Sequence, residues 1–262
     1  MHSGGFAPAC RRQARKPRMP IASVVSGELK NKKINSMKLT LILLICVFVF
    51  HIAGHSQVTS FKIDESKFKT ELLPTLDTIY KEDQNERIKL GELRTKKAPQ
   101  KSIDSIRSII IQKDNINLVK VNKILSQYGW LGPQDVGFNG SQALFMVIQH
   151  ADLKTQQKYL PMITKAEKEG KTLSSNLAIL QDRIAMREGK KQIYGSQGFK
   201  DKTTGISYIY SMINPDKLDK RRKSMGLAPM KEYEIGWDLN EYKKKLPEIL
   251  KIIKTKNIDV LK

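Results

Sequence analysis

Residues whose types could support chemistry are concentrated between positions 129 and 197 of the chain. Three of them could act together: His150 as general acid or base, Asp182 to orient it, and Arg183 to stabilise an anionic group. Other polar and aromatic side chains could bind a ligand, and these are Trp130, Gln149, Asp152, Gln192, Tyr194, Gln197, Arg87 and Arg222. The sequence thus predicts one site that either binds or transforms a polar ligand.

His150 lies at the edge of the apolar face of a predicted helix, three residues after Val147 and seven after Ala143. The dipole at this helix end favours the protonated imidazole. A histidine here could also simply cap the helix or satisfy a core contact. Asp152 is two residues further on, which places it on a different side of a helix, so we interpret it as an N-cap and not as the partner of His150.

Asp182 shares a predicted helix face with small side chains at Ala178 and Ala185, which would leave its carboxylate partly buried. A buried carboxylate needs a partner. The candidates are His150, Arg87, Arg183 and Arg222. We predict that His150 and Asp182 pair with each other or with an arginine, in a cleft between their two helices and a strand over residues 192–197. A structural ion pair and a catalytic group remain open for Asp182.

The cysteine and histidine content excludes several kinds of site. Both cysteines, and every histidine except His150, precede residue 57. A domain after residue 57 has neither a cysteine-based zinc site nor a multi-histidine metal site, and we predict no metal and no cofactor. The sequence also lacks a Gly-rich phosphate loop and a nucleophile elbow.

The first 56 residues indicate export. Lys38 precedes an apolar run over residues 39–52, and the small residues Gly54 and Ser56 then suit cleavage before Gln57. We interpret residues 37–56 as a signal peptide and residues 1–36 as a gene-start artefact, with the product periplasmic or secreted. The alternative is an inner-membrane signal-anchor with residues 1–36 as a basic cytoplasmic tail and the domain outside.

The remaining chain is basic, with 38 lysines and arginines against 25 acids after residue 56, a net charge of +13. An anionic envelope polymer or another exported protein could be its partner. The basic residues are spread along the chain and do not form an aromatic-interleaved patch, which argues against nucleic acid. The mature form has no predicted membrane span.

Apolar periodicity predicts a mainly α (α+β) fold, an antiparallel bundle of five to seven helices with one β-hairpin. Spacings of three and four predict helices over residues 66–93, 102–128, 141–151, 152–169 and 174–188, a short helix from Pro215 and a final amphipathic helix near 242–253. Residues 57–101 form the first helix and a loop, and residues 129–140 form another loop. A period of two places the hairpin at residues 192–213.

The order of several short motifs resembles the bacterial domain-of-unknown-function family 6624. The matching pieces include Gly129-Trp130, Gln149-His150-Ala151-Asp152, Asp182-Arg183, Tyr194-Gly195-Ser196-Gln197, Asp83 with Arg87, Asp114 with Asn117, and Asp219 with Arg222. Leu131 and Ser196 depart from the family pattern, which often has Pro and Thr there. The resemblance implies a domain over roughly residues 72–233, followed by a C-terminal segment over 234–262. The family has no established activity, so it implies no reaction.

Two hypotheses for function follow. The first is an exported binding or interaction module, with Trp130, Tyr194 and the basic surface contacting an anionic partner. The second is a small exported hydrolase or lyase that uses His150 as general acid or base. The convergence or dispersal of His150, Asp182, Gln192 and Tyr194 would discriminate between them.

Overall fold

The computed structural model describes residues 57–260. The predicted signal peptide at residues 37–56 and the segment before it lie outside the described residues. Within the described range, no helix is both long enough and apolar enough to cross a membrane.

The described chain is mainly helical, as predicted, and carries one small antiparallel sheet. Its helices are α1 (Leu73–Thr95), α2 (Gln100–Tyr128), α3 (Pro133–His150), α4 (Leu153–Lys168), α5 (Ser174–Arg187), α6 (Leu218–Ser224), α7 (Met230–Tyr233) and α8 (Leu239–Lys254). Its strands are β1 (Gly198–Asp201), β2 (Ser207–Ile209) and β3 (Ile258–Val260). The described range thus has one helix more than the upper limit predicted. The additional one is α7, a single turn that is too short to show an apolar period.

Helix α3 occupies the centre of the bundle and packs against α1, α2, α4 and α5. Its predicted apolar stripe, which includes Ala143, Leu144 and Ile148, is fully buried, and burial of this stripe is the main force that assembles the bundle. The C-terminal end of α3 therefore lies among the neighbouring helices, and His150 is its last residue.

Several predicted helix boundaries were wrong. Helix α1 begins at Leu73 after two short 3-10 turns, with Pro74 in its first turn, where the missing N–H costs nothing. Helix α2 begins at Gln100 behind Pro99, and Ser102 does not cap it.

The predicted loop over residues 129–140 was also mostly wrong, because α3 already begins at Pro133. Its first turn ends in a kink at Val136 and Gly137, and Gly137 has φ +72°, a conformation that glycine adopts without strain. The kink breaks the apolar periodicity, which is why the sequence pattern shows only the second part of the helix.

The predicted hairpin is present but shorter, and a third strand extends it. Strand β1 pairs antiparallel with β2 on one side and with β3 on the other. The β3 strand was missed because three residues are too few for a period. Residues 192–197 are a turn-rich segment instead of a strand, held by contacts described below.

A second apolar core lies between the sheet and the C-terminal helices. It contains Phe199 and Tyr210 from the hairpin region, Leu218 from α6, Met230 from α7 and Ile249 from α8. The short helix predicted from Pro215 begins as a 3-10 turn over Pro215–Lys217, and Asn214 before it has a left-handed backbone at φ 34°. This core fixes α6 and α7 next to the turn at residues 192–197.

Candidate functional site

His150 is paired with Asp83, a residue of α1, and not with Asp182. The imidazole Nδ1 lies 2.8 Å from Asp83 Oδ1, and the His150 side chain is 14% exposed. The prediction that His150 pairs with Asp182 or with an arginine was therefore wrong. The reason is topological, because α3 packs along α1 and brings the end of α3 beside the middle of α1.

Arg87 holds the Asp83 carboxylate from the other side. Its Nη1 lies 3.1 Å from Asp83 Oδ1, as their spacing of four residues predicts, and its Nη2 donates to both carboxylate oxygens of Asp114 at 2.8 Å. The Asp83 carboxylate also accepts a hydrogen bond from Gln84 Nε2 at 2.8 Å. Asp83 is buried, and these contacts fix its orientation.

The local electrostatics define the protonation states of the pair. Burial acts to raise the pKa of Asp83, but the hydrogen bond from His150 and the charges of His150 and Arg87 outweigh it, so the pKa is lowered and the carboxylate is ionised. Burial lowers the pKa of His150, against the opposing effect of Asp83, so the imidazole is neutral near pH 7. An ionised carboxylate only accepts hydrogen bonds, so the proton lies on Nδ1 and Nε2 carries a free lone pair.

Arg183 lies close enough to His150 for its charge to help lower the histidine's pKa. The residue is 8% exposed, and its Nε and Nη1 atoms are buried without a hydrogen-bond partner among the described residues. Burial, together with the positive charges of Arg187 and Arg87, lowers the pKa of Arg183 to about 10. Arg183 is thus still charged at neutral pH.

Asp182 has a structural role in which it organises the turn after α5. Its carboxylate accepts the backbone N–H groups of Ile193 at 2.6 Å, Tyr194 at 2.9 Å and Ser196 at 2.9 Å, and also the Ser196 hydroxyl at 2.9 Å. Burial raises the pKa of Asp182, although these hydrogen bonds oppose the shift. The predicted role of orienting His150 therefore belongs to Asp83.

Three other predicted site residues, Gln192, Gln197 and Arg222, stabilise the same turn. Gln192 is fully buried and bonds to the backbone of Gln197 and Tyr210, and the Gln197 amide donates to Ser196 Oγ. Arg222 is also fully buried, donates to the carbonyls of Tyr194 and Ala228, and stacks on the Tyr233 ring at 4.5 Å. These contacts use the amide of Gln192 and two of the three nitrogens of Arg222, whose Nη2 is buried without a hydrogen-bond partner among the described residues.

Three further predicted residues also take structural positions. Trp130 is 7% exposed and donates from Nε1 to the Lys171 carbonyl at 3.3 Å, so it does not form a surface for a partner. Asp152 caps α4 by accepting the Thr155 N–H at 2.7 Å, as predicted. Gln149 is buried, and neither of its side-chain amide atoms has a partner among the described residues.

The carboxylates of Asp83 and Asp114 and the His150 imidazole could hold a metal ion, because one ligand atom from each lies within 4.8 Å of the others. Arg87 already contacts both carboxylates, so its guanidinium supplies the positive charge that an ion would bring. A cation at this position would have to displace Arg87, which makes the arrangement less favourable for a metal than for an acid–base pair.

A groove of about 300 Å³ lies at the opposite end of α3 and is lined by Leu73, Asp77 and residues 136–140. Residue 138 and His150 are twelve helical residues apart, or about 18 Å along the axis. The groove is therefore separate from the His150 site.

The sequence analysis left Asp83 and Asp114 out of the site. Asp83 with Arg87, and Asp114 with Asn117, were noted only as pieces of the family resemblance. Asn117 is buried, and Asp114 binds Arg87, so neither residue is simply solvent-facing. The sequence feature that could have revealed the site is the presence of two acids and an arginine, Asp83, Asp114 and Arg87, on two consecutive predicted helices.

Comparison with known proteins and protein families identifies the family of this chain. No curated protein and no solved structure matches the chain. The model of the family of unknown function DUF6624 matches residues 70–244, a span that includes every residue of the His150 site. The match covers well over half of the chain, and the protein therefore belongs to the DUF6624 family.

Proposed function

We propose that this domain is an acid–base catalyst, a small hydrolase or lyase, in which His150 Nε2 is the general base. The observation that carries the proposal is the 2.8 Å contact between His150 Nδ1 and the buried Asp83 carboxylate. A carboxylate bonded to one ring nitrogen fixes the tautomer and leaves the other nitrogen as the base. Arg87 keeps that carboxylate in place, and Asp114 in turn holds the Arg87 guanidinium.

The pKa of His150 suits a base better than an acid. Because burial lowers it below the ordinary value of 6.5, most molecules carry a neutral imidazole at pH 7. The neutral imidazole can therefore accept a proton from the substrate without first losing one itself. After the base has taken a proton, the imidazolium is stabilised by Asp83 and can return that proton to a leaving group.

The pH dependence tests this role. The purified protein is assayed on p-nitrophenyl phosphate, bis-p-nitrophenyl phosphate and p-nitrophenyl acetate across pH 4 to 9, a range of about five units around the ordinary histidine pKa. We expect turnover near pH 7 that decreases as pH falls through a pKa below 6.5, because protonation removes the Nε2 lone pair. A rate that increases as pH falls, or an absence of turnover on all three probes, contradicts the proposal.

The second candidate is a binding module that uses the same cleft without turnover. The observation in its favour is Arg183, whose buried and unpaired donors suit an anionic ligand whether or not a reaction follows. The version that relies on Trp130 as a surface contact is disfavoured by the burial of that residue. Ligand binding with no turnover on any probe would favour this candidate.

We also propose that the chain is exported and that its mature form begins at or near Gln57. Residues 37–56 have the composition of a signal peptide. A chain that starts there keeps two hydrogen bonds to α5, because the Val58 N–H donates to Ser174 Oγ at 2.7 Å and the Val58 carbonyl accepts from the Ser174 N–H at 3.1 Å. N-terminal sequencing of the native protein checks this, and a start before Leu39 would favour a signal-anchor instead.

A further inference from the structure

Arg183 is a buried cation without a counter-charge. The residue is 8% exposed, two of its three side-chain nitrogens are buried without a hydrogen-bond partner, and it makes no ion pair among residues 57–260. The other arginines near it are used: Arg87 binds two carboxylates, and Arg187 donates to the Ala151 carbonyl at 2.6 Å. Among residues 57–260, Arg222 also has one buried nitrogen without a hydrogen-bond partner, Nη2, but Arg183 has two.

The acids beside Arg183 are already committed. Asp83 and Asp114 are bonded to Arg87, and Asp182 is saturated by the turn at residues 193–196. The Tyr233 hydroxyl, which influences Arg183, donates to the Ser196 carbonyl at 2.9 Å. None of these three carboxylates forms an ion pair with the Arg183 guanidinium within residues 57–260.

Leaving a charged group buried and unpaired destabilises a fold, often by enough that the group is replaced or neutralised. Functional sites are the places where such a cost is retained, because a ligand compensates for it when bound. An arginine cannot lose its charge at neutral pH, so its compensation has to come from an anion.

We infer that Arg183 is the binding centre for an oxyanion, a phosphoryl or carboxylate group of the ligand, held beside His150. The inference rests on the proposed function in that it names the class of substrate on which His150 acts. An oxyanion on Arg183 would place the rest of the ligand at the neutral imidazole, whose Nε2 is the available base. Arg183 thereby fixes which bond of the ligand the histidine can reach.

The test measures binding of inorganic phosphate and of acetate by calorimetry, at constant ionic strength made up with chloride. Wild-type protein, Arg183→Met, Arg183→Lys and a control, Arg107→Gln, are compared. Arg107 is a suitable control because it is a more exposed arginine, 40% accessible, near Asp104 on α2. The phosphate and acetate arms distinguish a phosphoryl ligand from a carboxylate ligand.

We expect the wild-type protein and Arg107→Gln to bind at least one of the two anions, with affinity lost in Arg183→Met and reduced on the order of tenfold in Arg183→Lys. Without ligand, Arg183→Met should unfold at the same temperature as the wild type or about 2–4 °C higher, because it removes an unpaired buried charge. A purely structural arginine would give the opposite shift.

The inference is overturned if the wild type binds neither anion, or if Arg183→Met binds as the wild type does. Should Arg183→Met fail to fold, Arg183→Lys decides: reduced binding supports the inference and unchanged binding overturns it. The outcome for catalysis is separate. Anion binding at Arg183 without turnover on any probe removes the proposed reaction only, whereas turnover without anion binding removes the Arg183 inference only.

Discussion

Replacing Asp83 with Asn is expected to reduce turnover by about 10²- to 10⁴-fold, the range for loss of a correctly oriented general base. The carboxylate accepts hydrogen bonds from His150 Nδ1 and Gln84 Nε2 and forms an ion pair with Arg87. An amide at this position has only one oxygen for these donors, and its N–H₂ group needs an acceptor. The acceptor within reach is His150 Nδ1, which can accept only if the proton moves to Nε2 and the base is lost.

His150→Gln should reduce turnover by a similar factor, because both changes remove the same lone pair. The double variant should lose little more than either single variant, since residues that act as one unit are not additive. The measurement is kcat/KM for the wild type and the three variants on the probe with the highest wild-type rate.

Asp114→Asn is the matched control for Asp83. Asp114 also binds Arg87 but makes no hydrogen bond to the imidazole, so the tautomer of His150 should be unchanged. We expect its kcat/KM to stay within about tenfold of the wild-type value, which corresponds to a change of about 1.4 kcal/mol in the activation free energy. Equal losses in Asp83→Asn and Asp114→Asn would mean that the cluster acts only by its charge.

Asp182→Ala is expected to lower the free energy of unfolding by about 3–5 kcal/mol without a specific effect on the chemistry. It would leave the N–H groups of Ile193, Tyr194 and Ser196 without their acceptor, and each unpaired buried donor costs about 1–3 kcal/mol. Asp182→Asn keeps one oxygen and should cost about half as much. Denaturant unfolding monitored by circular dichroism measures both changes.

Asp152→Ala is the control for Asp182. Asp152 also accepts a backbone N–H, from Thr155 at 2.7 Å, but it caps an exposed helix end where water replaces the lost contact. The expected cost is about 1 kcal/mol. If Asp182→Ala costs no more than Asp152→Ala, then Asp182 does not organise the turn, and a role in the site would have to be reconsidered.

The helical part of the fold could be predicted because burial imposes a period of three to four residues. Ile106, Val121, Leu144 and Ile163 all follow that period and are all buried. The turn at residues 192–197 could not be predicted in the same way. Its alternating residue types suggested a strand, but the backbone donors of Ile193, Tyr194 and Ser196 are taken by one side chain of α5.

The partner of His150 illustrates a second limit. Periodicity indicates which face of a helix is buried, but it does not indicate which two helices are neighbours. Asp83 and His150 are 67 positions apart, and they meet only because α3 packs along α1. Asp182 was preferred because it is polar and lies on a face of small residues, and that reasoning correctly predicted its burial but assigned it the wrong partner.

The protonated nitrogen of His150 tests the central claim most directly. Two-bond ¹H–¹⁵N correlation spectra of ¹⁵N-histidine-labelled protein distinguish the two neutral tautomers, and comparison with His150→Gln assigns the signals. We predict that His150 is neutral at pH 7, carries its proton on Nδ1 and titrates below pH 6.5, and that Asp83→Asn moves the proton to Nε2. A wild-type His150 that carries its proton on Nε2, or that is already protonated at pH 7, would contradict the account.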